Sequence, residues 1–163
     1  MTIANLAIAK IGTAGTVCIF TQASTHLVAD VDGYFPATTT YAPISPVRML
    51  DTRLGFTTID GIGAGGGARP LGTVTTVHVA GRAGIPGDAR TAVLNVTVTN
   101  GTAGGYITVY PCGIDPPLAS NLNFVAGQTI ANSVITQIGT SGNVCLFNSQ
   151  PADLIVDIAG DFP

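Results

Sequence analysis

The chain has 163 residues, of which 46% are hydrophobic and 9% charged, with a formal net charge of −3 and a pI near 4.9. One lysine and no glutamate are untypical of helical proteins, whose exposed faces carry both residues, whereas abundant Thr, Val, Ile and Gly favour strands and turns. The negative charge and scattered arginines offer no basic surface for phosphates, and no apolar run reaches the roughly 20 residues of a membrane span. We therefore expect an all-β chain with neither a nucleic-acid nor a membrane partner.

The first stretch, residues 2–36, recurs at the end of the chain. It aligns without a gap with residues 129–163 at an offset of 127, and 17 of the 35 pairs are identical. The identities include Gly12 with Gly139 and Cys18 with Cys145. Self-similarity at a fixed period is the signature of a repeat architecture. Residues 1–37 are therefore interpreted as a partial repeat, either the final third of a preceding module or a pair of edge or donor hairpins, and residues 38–163 as a complete β module.

Short apolar runs separated by turns predict three strands in the first copy. They are expected at 3–11, 17–21 and 27–32, with the turn GTAG at 12–15 between the first two. After a Thr-rich hinge, residues 41–73 look loop-rich, and the glycine run 61–67 predicts an exposed loop of unassigned purpose.

Further strands are predicted at 74–80, 92–99 and 106–110. In the run 92–99, Leu94, Val96 and Val98 alternate with polar residues, as in a half-buried strand. Residues 95–110 also resemble 132–147, which suggests one hairpin type used more than once. The fold expected is an antiparallel β-sandwich of about 8–10 short strands, with a β-trefoil or other barrel as the alternative.

Three cysteines differ in status. Cys112 and Cys145 both lie within the complete module, whereas Cys18 is the copy of Cys145 and has no copy of Cys112 beside it. We predict a Cys112–Cys145 disulfide, worth on the order of 3 kcal/mol, with Cys18 free or paired between molecules. The alternative is three reduced, buried thiols.

Charge concentrates in RMLDTR, residues 48–53. Asp51 between Arg48 and Arg53 could be a carboxylate with a functional, shifted pKa. The favoured interpretation is a structural ion-pair cluster of Arg48, Asp51, Arg53 and Asp157, because Asp157 lies on an otherwise apolar strand and needs a partner.

No nucleophile with a base, and no metal-binding spacing of Cys and His, stands out. We therefore predict no enzymatic activity, catalytic residue, metal or cofactor. Four tyrosines are candidate glycan contacts, since aromatic faces stack on sugars, although core packing also accounts for them. They are Tyr34, Tyr41, Tyr106 and Tyr110.

Residues 41–163 resemble the tandem modules of about 120 residues found in secreted and cell-wall-associated proteins of actinobacteria and related bacteria. The resemblance lies in motifs that keep the family's order, namely PVRMLDTR (46–53), AVLNVT (92–97), YPCG (110–113), SNLNF (120–124) and DIAGDF (157–162). It implies an accessory or structural role outside the cell and supplies no ligand or catalytic residue. The family's closing Gly-Tyr-Phe is kept at 33–35 but altered at 160–162.

We accordingly expect a non-enzymatic extracellular repeat module for cell-surface architecture, adhesion or self-assembly. Residues 2–36 would associate with a second copy, giving an oligomer or filament, or fold back on their own module. The alternative is a carbohydrate-binding module that holds an extracellular enzyme at cell-wall glycan. Either role places the protein outside the cell, with the export signal expected outside these 163 residues.

Overall fold

The computed structural model describes residues 5–31, 33–36, 38 and 40–163. Its strands are β1 (Ala42–Asp51), β2 (Thr73–His78), β3 (Thr91–Thr99), β4 (Gly105–Pro111), β5 (Leu122–Phe124), β6 (Ile130–Gln137), β7 (Asn143–Asn148) and β8 (Asp153–Phe162). They form two four-stranded sheets, ordered β1-β8-β3-β6 and β2-β7-β4-β5. All pairings within these sheets are antiparallel, so the predicted β-sandwich is confirmed.

The core lies between the two sheets. Leu94, Val96 and Val98 of β3 are at most 1% exposed, while Asn95 and Thr97 are partly exposed, as the alternation predicts. Ile107 of β4 and Leu146 of β7 meet them from the other sheet, both fully buried. Removing such side chains from water is the main stabilising contribution to a sandwich.

The last three strands hold the central positions. β8 lies between β1 and β3, and β7 lies between β2 and β4, whereas β6 is an edge strand beside β3. Residues 130–162 therefore supply one inner strand to each sheet. We call β1–β5 (residues 41–128) the body and residues 130–163 the closing segment.

Two predictions about residues 41–163 were wrong. Residues 95–110 and 132–147 are not hairpins, because β3 and β6 belong to one sheet while β4 and β7 belong to the other. Each stretch is an arch that crosses from one sheet to the other, and the local strand-turn-strand pattern is the same in a hairpin and in an arch.

A second error concerns residues 41–73, which were expected to be loop-rich but contain β1. The register against β8 shifts between Pro43 and Val47, and Pro46 lies within that irregularity, where an edge strand tolerates proline.

The glycine run 61–67 is exposed at most positions but not unconnected. The Gly65 N–H donates to the carbonyl of Asp51 at 2.7 Å, and the Gly67 N–H donates to that of Thr52 at 2.8 Å. The Asp51 N–H in turn donates to the Gly63 carbonyl at 3.1 Å. The loop thus fastens the end of β1.

The strands predicted in the first copy are absent from its described residues. Residues 5–31 hold only a 3-10 turn at Thr13–Gly15, while parts of the first and third predicted strands, at residues 3–4 and 32, lie outside the described residues. A strand needs a hydrogen-bonded neighbour, and the inner positions of both sheets are already occupied by β7 and β8.

Candidate interaction surface

The N-terminal segment, described at residues 5–31 and 33–36, exposes apolar side chains that its copy buries. Val28 and Val31 are 88% and 89% exposed, whereas their counterparts Ile155 and Ile158 in β8 are 6% and 0% exposed. Val17, Ile19 and Leu27 are 55–61% exposed, and their counterparts Val144, Leu146 and Leu154 are fully buried. Burying a fully exposed large aliphatic side chain contributes about 1.5–3 kcal/mol, so burying the exposed parts of these five would contribute on the order of 5–10 kcal/mol. The segment therefore presents several apolar side chains of the kind that folded proteins usually cover.

The turn inside this segment has the backbone conformation of its copy. Ala14 has φ 56° and ψ 28°, and Ser141 has φ 57° and ψ 29°. The Gly12 N–H donates to the carbonyl of Thr16 at 2.8 Å, as the Gly139 N–H does to that of Asn143 at 2.8 Å. The GT-small-G sequence therefore forms this turn without help from the body, because no sheet surrounds the first copy.

The glycines of the two turns differ in what surrounds them. A Cβ at Gly139 would lie 2.2 Å from the carbonyl oxygen of Cys112, so only glycine fits there. A Cβ at Gly12 would meet only the Thr16 oxygen, at 3.2 Å. A tertiary contact that requires glycine is therefore present at Gly139 and absent at the matching Gly12.

Both ends of the described part of the segment touch the closing segment. The Ser133 N–H in the middle of β6 donates to Asn5 Oδ1 at 3.3 Å. At the other end, the ring of Phe35 lies 5.0 Å from that of Tyr41 and 6.1 Å from that of Phe162, its own counterpart. The segment therefore ends beside the end of β8.

The predicted disulfide is confirmed. Cys112, just after β4, is bonded to Cys145 of β7, with their Cα atoms 5.0 Å apart, and the bond ties two neighbouring strands of one sheet. Cys18 is free and exposed. The same residue type at the same repeat position is therefore bonded in one copy and unpartnered in the other.

The structure brings together all four residues of the proposed ion-pair cluster. Arg48 stands opposite Asp157 in the β1–β8 register and donates to both of its carboxylate oxygens, at 2.9 and 3.2 Å. Arg48 also donates to Asp51 at 2.9 Å, and Arg53 donates to both oxygens of Asp51, at 2.9 and 2.7 Å. The guanidinium of Arg53 lies 3.6 Å above the ring of Phe56. Such a network joins β1 to β8 and leaves no oxygen of Asp51 free for chemistry.

The electrostatics of the cluster favour the charged carboxylate. Burial by itself would raise the pKa of Asp51, which is 0% exposed, but the hydrogen bonds and positive charges of Arg53 and Arg48 lower it below the ordinary value. Asp161 near the end of β8 shows the opposite effect, because burial and the charge of Asp88 raise its pKa.

A second ion pair, between buried Arg82 and exposed Asp60, was missed from sequence. Arg82, 8% exposed, donates to both oxygens of Asp60 at 2.9 and 2.7 Å and also to the His78 carbonyl at 2.8 Å. The pair lowers the pKa of Asp60 to about 2, chiefly through the Arg82 hydrogen bond. Both residues follow strands and lie in loops, so no periodicity relates them. In the sequence, the only indication of this ion pair is that both residues are charged in a chain with few charged residues.

The candidate tyrosines are not on one surface. Tyr41 and Tyr110 are 7% and 3% exposed, and the Tyr41 hydroxyl donates to the Ala159 carbonyl at 3.1 Å. Burial places these two rings out of reach of a glycan. Tyr34 in the N-terminal segment is exposed, and Tyr106 borders an open hollow of about 300 Å³ together with Leu118 and Ser120. A second hollow, of about 390 Å³, is lined by Arg90, Thr91, Gln137 and Ile138.

Among the described residues, no group of three or more His, Cys, Asp or Glu side chains is arranged to hold a metal ion. That part of the chain also contains no helix long and apolar enough to cross a membrane.

No protein-family model and no curated protein matches the chain. Two of the solved structures similar to it are of Tobacco streak virus coat protein. The C2 crystal form is 14% identical over 60% of this chain and 81% of that chain, with a TM-score of 0.35. The coat protein dimer is 11% identical over 76% of this chain and 85% of that chain, also with a TM-score of 0.35. Similarity at this level supports no functional conclusion.

Proposed function

We propose that this protein is a non-enzymatic extracellular module that builds cell-surface structure by assembling through its N-terminal segment. The observation that carries the proposal is the contrast between the two copies. The same kind of apolar side chain, such as Leu27 and Leu154, is 55% exposed in the first copy and 0% exposed in the second. Uncovered apolar surface of this kind is typical of segments that bind another protein.

Two further features support the role. The Cys112–Cys145 disulfide is compatible with an oxidising, extracellular setting. The charge-rich motif 48–53 is engaged in internal pairing between β1 and β8, as expected of a structural network.

The assembly role is tested by light scattering on the full chain over a wide range of concentrations. We expect a mass above the single-chain value of 16.4 kDa that grows with concentration. The double variant Val28→Asp, Val31→Asp changes two exposed positions of the segment and should stay at the single-chain mass. Leu118→Asp is the matched control, since Leu118 is fully exposed outside the segment and its change should leave assembly intact. A single-chain mass for all three proteins would rule out self-assembly through this segment.

The second candidate is a glycan-binding module, favoured by Tyr106 at the edge of the apolar hollow with Leu118. Incubation with insoluble cell-wall glycan should then retain the protein, and Tyr106→Ala should abolish retention. If neither the unaltered protein nor the Tyr106→Ala variant is retained, the glycan-binding role is rejected.

A further inference from the structure

We propose that the N-terminal segment is a second closing segment, whose mate is a body like residues 41–128 that lacks its own. In that complex, residues 5–36 would take the positions of β6, β7 and β8, and Cys18 would be bonded to the Cys112 of the body. The proposal goes beyond the assembly role above, because it names the surface that the segment recognises and also holds for a chain that stays at single-chain mass.

The first argument is side-chain complementarity. The surface that a body offers is known here, since it is the surface that β7 and β8 cover. Val17 and Leu27 are identical to the fully buried Val144 and Leu154, and Ile19 and Val31 replace Leu146 and Ile158 by aliphatic residues of similar size. Cores accept such substitutions when volume and pattern are kept.

The second argument is that features without a role in the first copy each have a partner in the body. Asp30 is exposed, whereas its counterpart Asp157 receives two hydrogen bonds from Arg48. A Cβ at Gly12 would meet only the Thr16 oxygen of its own turn, at 3.2 Å, whereas one at Gly139 would lie 2.2 Å from the carbonyl oxygen of Cys112. Cys18 is free, whereas Cys145 is bonded to Cys112. An apolar segment that bound only through nonspecific contact would need none of these three.

The third argument is stoichiometric. The chain contains one body but two segments that fit it, so an intact copy, with its position filled by β6–β8, gains no buried surface by exchanging one segment for the other. Insertion of the segment therefore requires β1–β5 with the inner positions of both sheets open, whereas intact copies can associate only by covering the exposed face of the segment on their outer surfaces.

The chain can also supply such a body to itself. Asp161 stands opposite Ala42 in the β1–β8 register, so its counterpart Tyr34 would stand opposite Ala42 across a loop of residues 35–41. Phe35 already lies against Tyr41 and Phe162. If the closing segment is disabled, the N-terminal segment can reach the vacated position within the same chain.

The covalent step needs no added oxidant when the body is already oxidised. The Cys18 thiolate attacks Sγ of Cys112, a new S–S bond forms, the Cys112–Cys145 bond breaks, and Cys145 leaves as a thiolate. In refolding from reduced chains, glutathione disulfide oxidises Cys18 and Cys112 and is itself reduced to two glutathione thiols.

The test disables one segment at a time in the full chain. Leu154→Asp places a charge at a fully buried position of β8, and Leu27→Asp is the same change at the matching exposed position of the N-terminal segment. Each variant and the double variant are refolded from the reduced state in glutathione buffer, melted by circular dichroism, and mapped for disulfides by mass spectrometry without reduction.

We expect Leu27→Asp to match the unaltered chain, with Cys112 bonded to Cys145. Leu154→Asp should keep a cooperative transition at a lower temperature, now with Cys18 bonded to Cys112. The double variant should lose the transition and the specific bond. A Leu154→Asp chain that is as unfolded as the double variant, or one that still bonds Cys112 to Cys145, overturns the proposal.

These results are separable from those of the light-scattering test. Rescue in a chain that stays at single-chain mass would keep this proposal and reject self-assembly of intact copies. Assembly without rescue would keep the assembly role and reject the body as the mate.

Discussion

At the scale of single residues, the Asp51 carboxylate accepts hydrogen bonds at both of its oxygens. It is fully buried at the end of β1 and meets both Arg48 and Arg53, and through Arg48 it is connected to Asp157 on β8. A buried carboxylate is tolerated only when its charge and lone pairs are matched, so the network couples the local motif 48–53 to the last strand of the chain. The motif was visible in the sequence, and its geometry depends on the β1–β8 register.

We predict that Asp51→Asn destabilises the protein by about 2–3 kcal/mol at neutral pH, because Arg48 and Arg53 both lose a charged partner. The cost stays moderate because water reaches both arginines, which are partly exposed. The folded-state pKa of Asp51 lies below its unfolded value. Its contribution is therefore complete above the ordinary Asp pKa of about 3.9 and is lost as the pH falls through the lower, folded value.

Urea unfolding of both proteins at several pH values measures this effect. The difference in free energy should be largest near neutrality and shrink in acid. Asp115→Asn, an exposed change, is the control. A difference that does not vary with pH would mean that the charge of Asp51 is not what stabilises the cluster.

At the scale of elements, the closing segment is the part of the chain on which both sheets depend. It provides the inner strands β7 and β8, so each of the two sheets is held together by residues 143–162. The turn at Gly139–Gly142 places β7 against Cys112, where its backbone must come close. The identical turn at Gly12–Gly15 has no such neighbour. The two turns are therefore a natural control for each other.

We predict that Gly139→Ala lowers the free energy of unfolding by about 1–3 kcal/mol, because the new Cβ meets backbone that cannot move freely. Gly12→Ala should change it by less than about 0.5 kcal/mol, as is usual for exposed substitutions. Denaturant unfolding of both variants measures the pair. Equal effects would show that the turn itself, and not its contact with Cys112, requires glycine.

At the scale of the whole molecule, one disulfide crosses from the body to the closing segment. It closes a loop with a sequence separation of 33 between Cys112 and Cys145. Cross-linking mainly reduces the freedom of the unfolded chain. The bond therefore favours the state in which the closing segment, rather than the N-terminal segment, fills the body.

We predict that removing this bond costs about 3 kcal/mol. The comparison is between Cys18→Ser and the double variant Cys18→Ser, Cys112→Ser, since the first has the disulfide and neither has the reactive Cys18. The urea midpoint should fall only in the second. Equal midpoints would indicate that the closing segment is held by packing alone.

The sequence by itself determined whatever depends on neighbouring residues. The alternation of Leu94, Val96 and Val98 predicted a half-buried strand, and GT-small-G encodes the same turn at 12–15 and 139–142 with or without a sheet around it. The repeat also singled out Cys112 and Cys145 as the bonded pair.

Only the tertiary structure decided which of two similar segments is buried. Leu27 and Leu154 have the same side chain in matching contexts, yet one is exposed and the other is in the core, because a body has room for one segment. The same holds for strand pairing, since the pattern of β3–β4 and β6–β7 fits a hairpin as well as an arch between sheets. Burial and pairing depend on distant partners, and local sequence does not specify which partner is present.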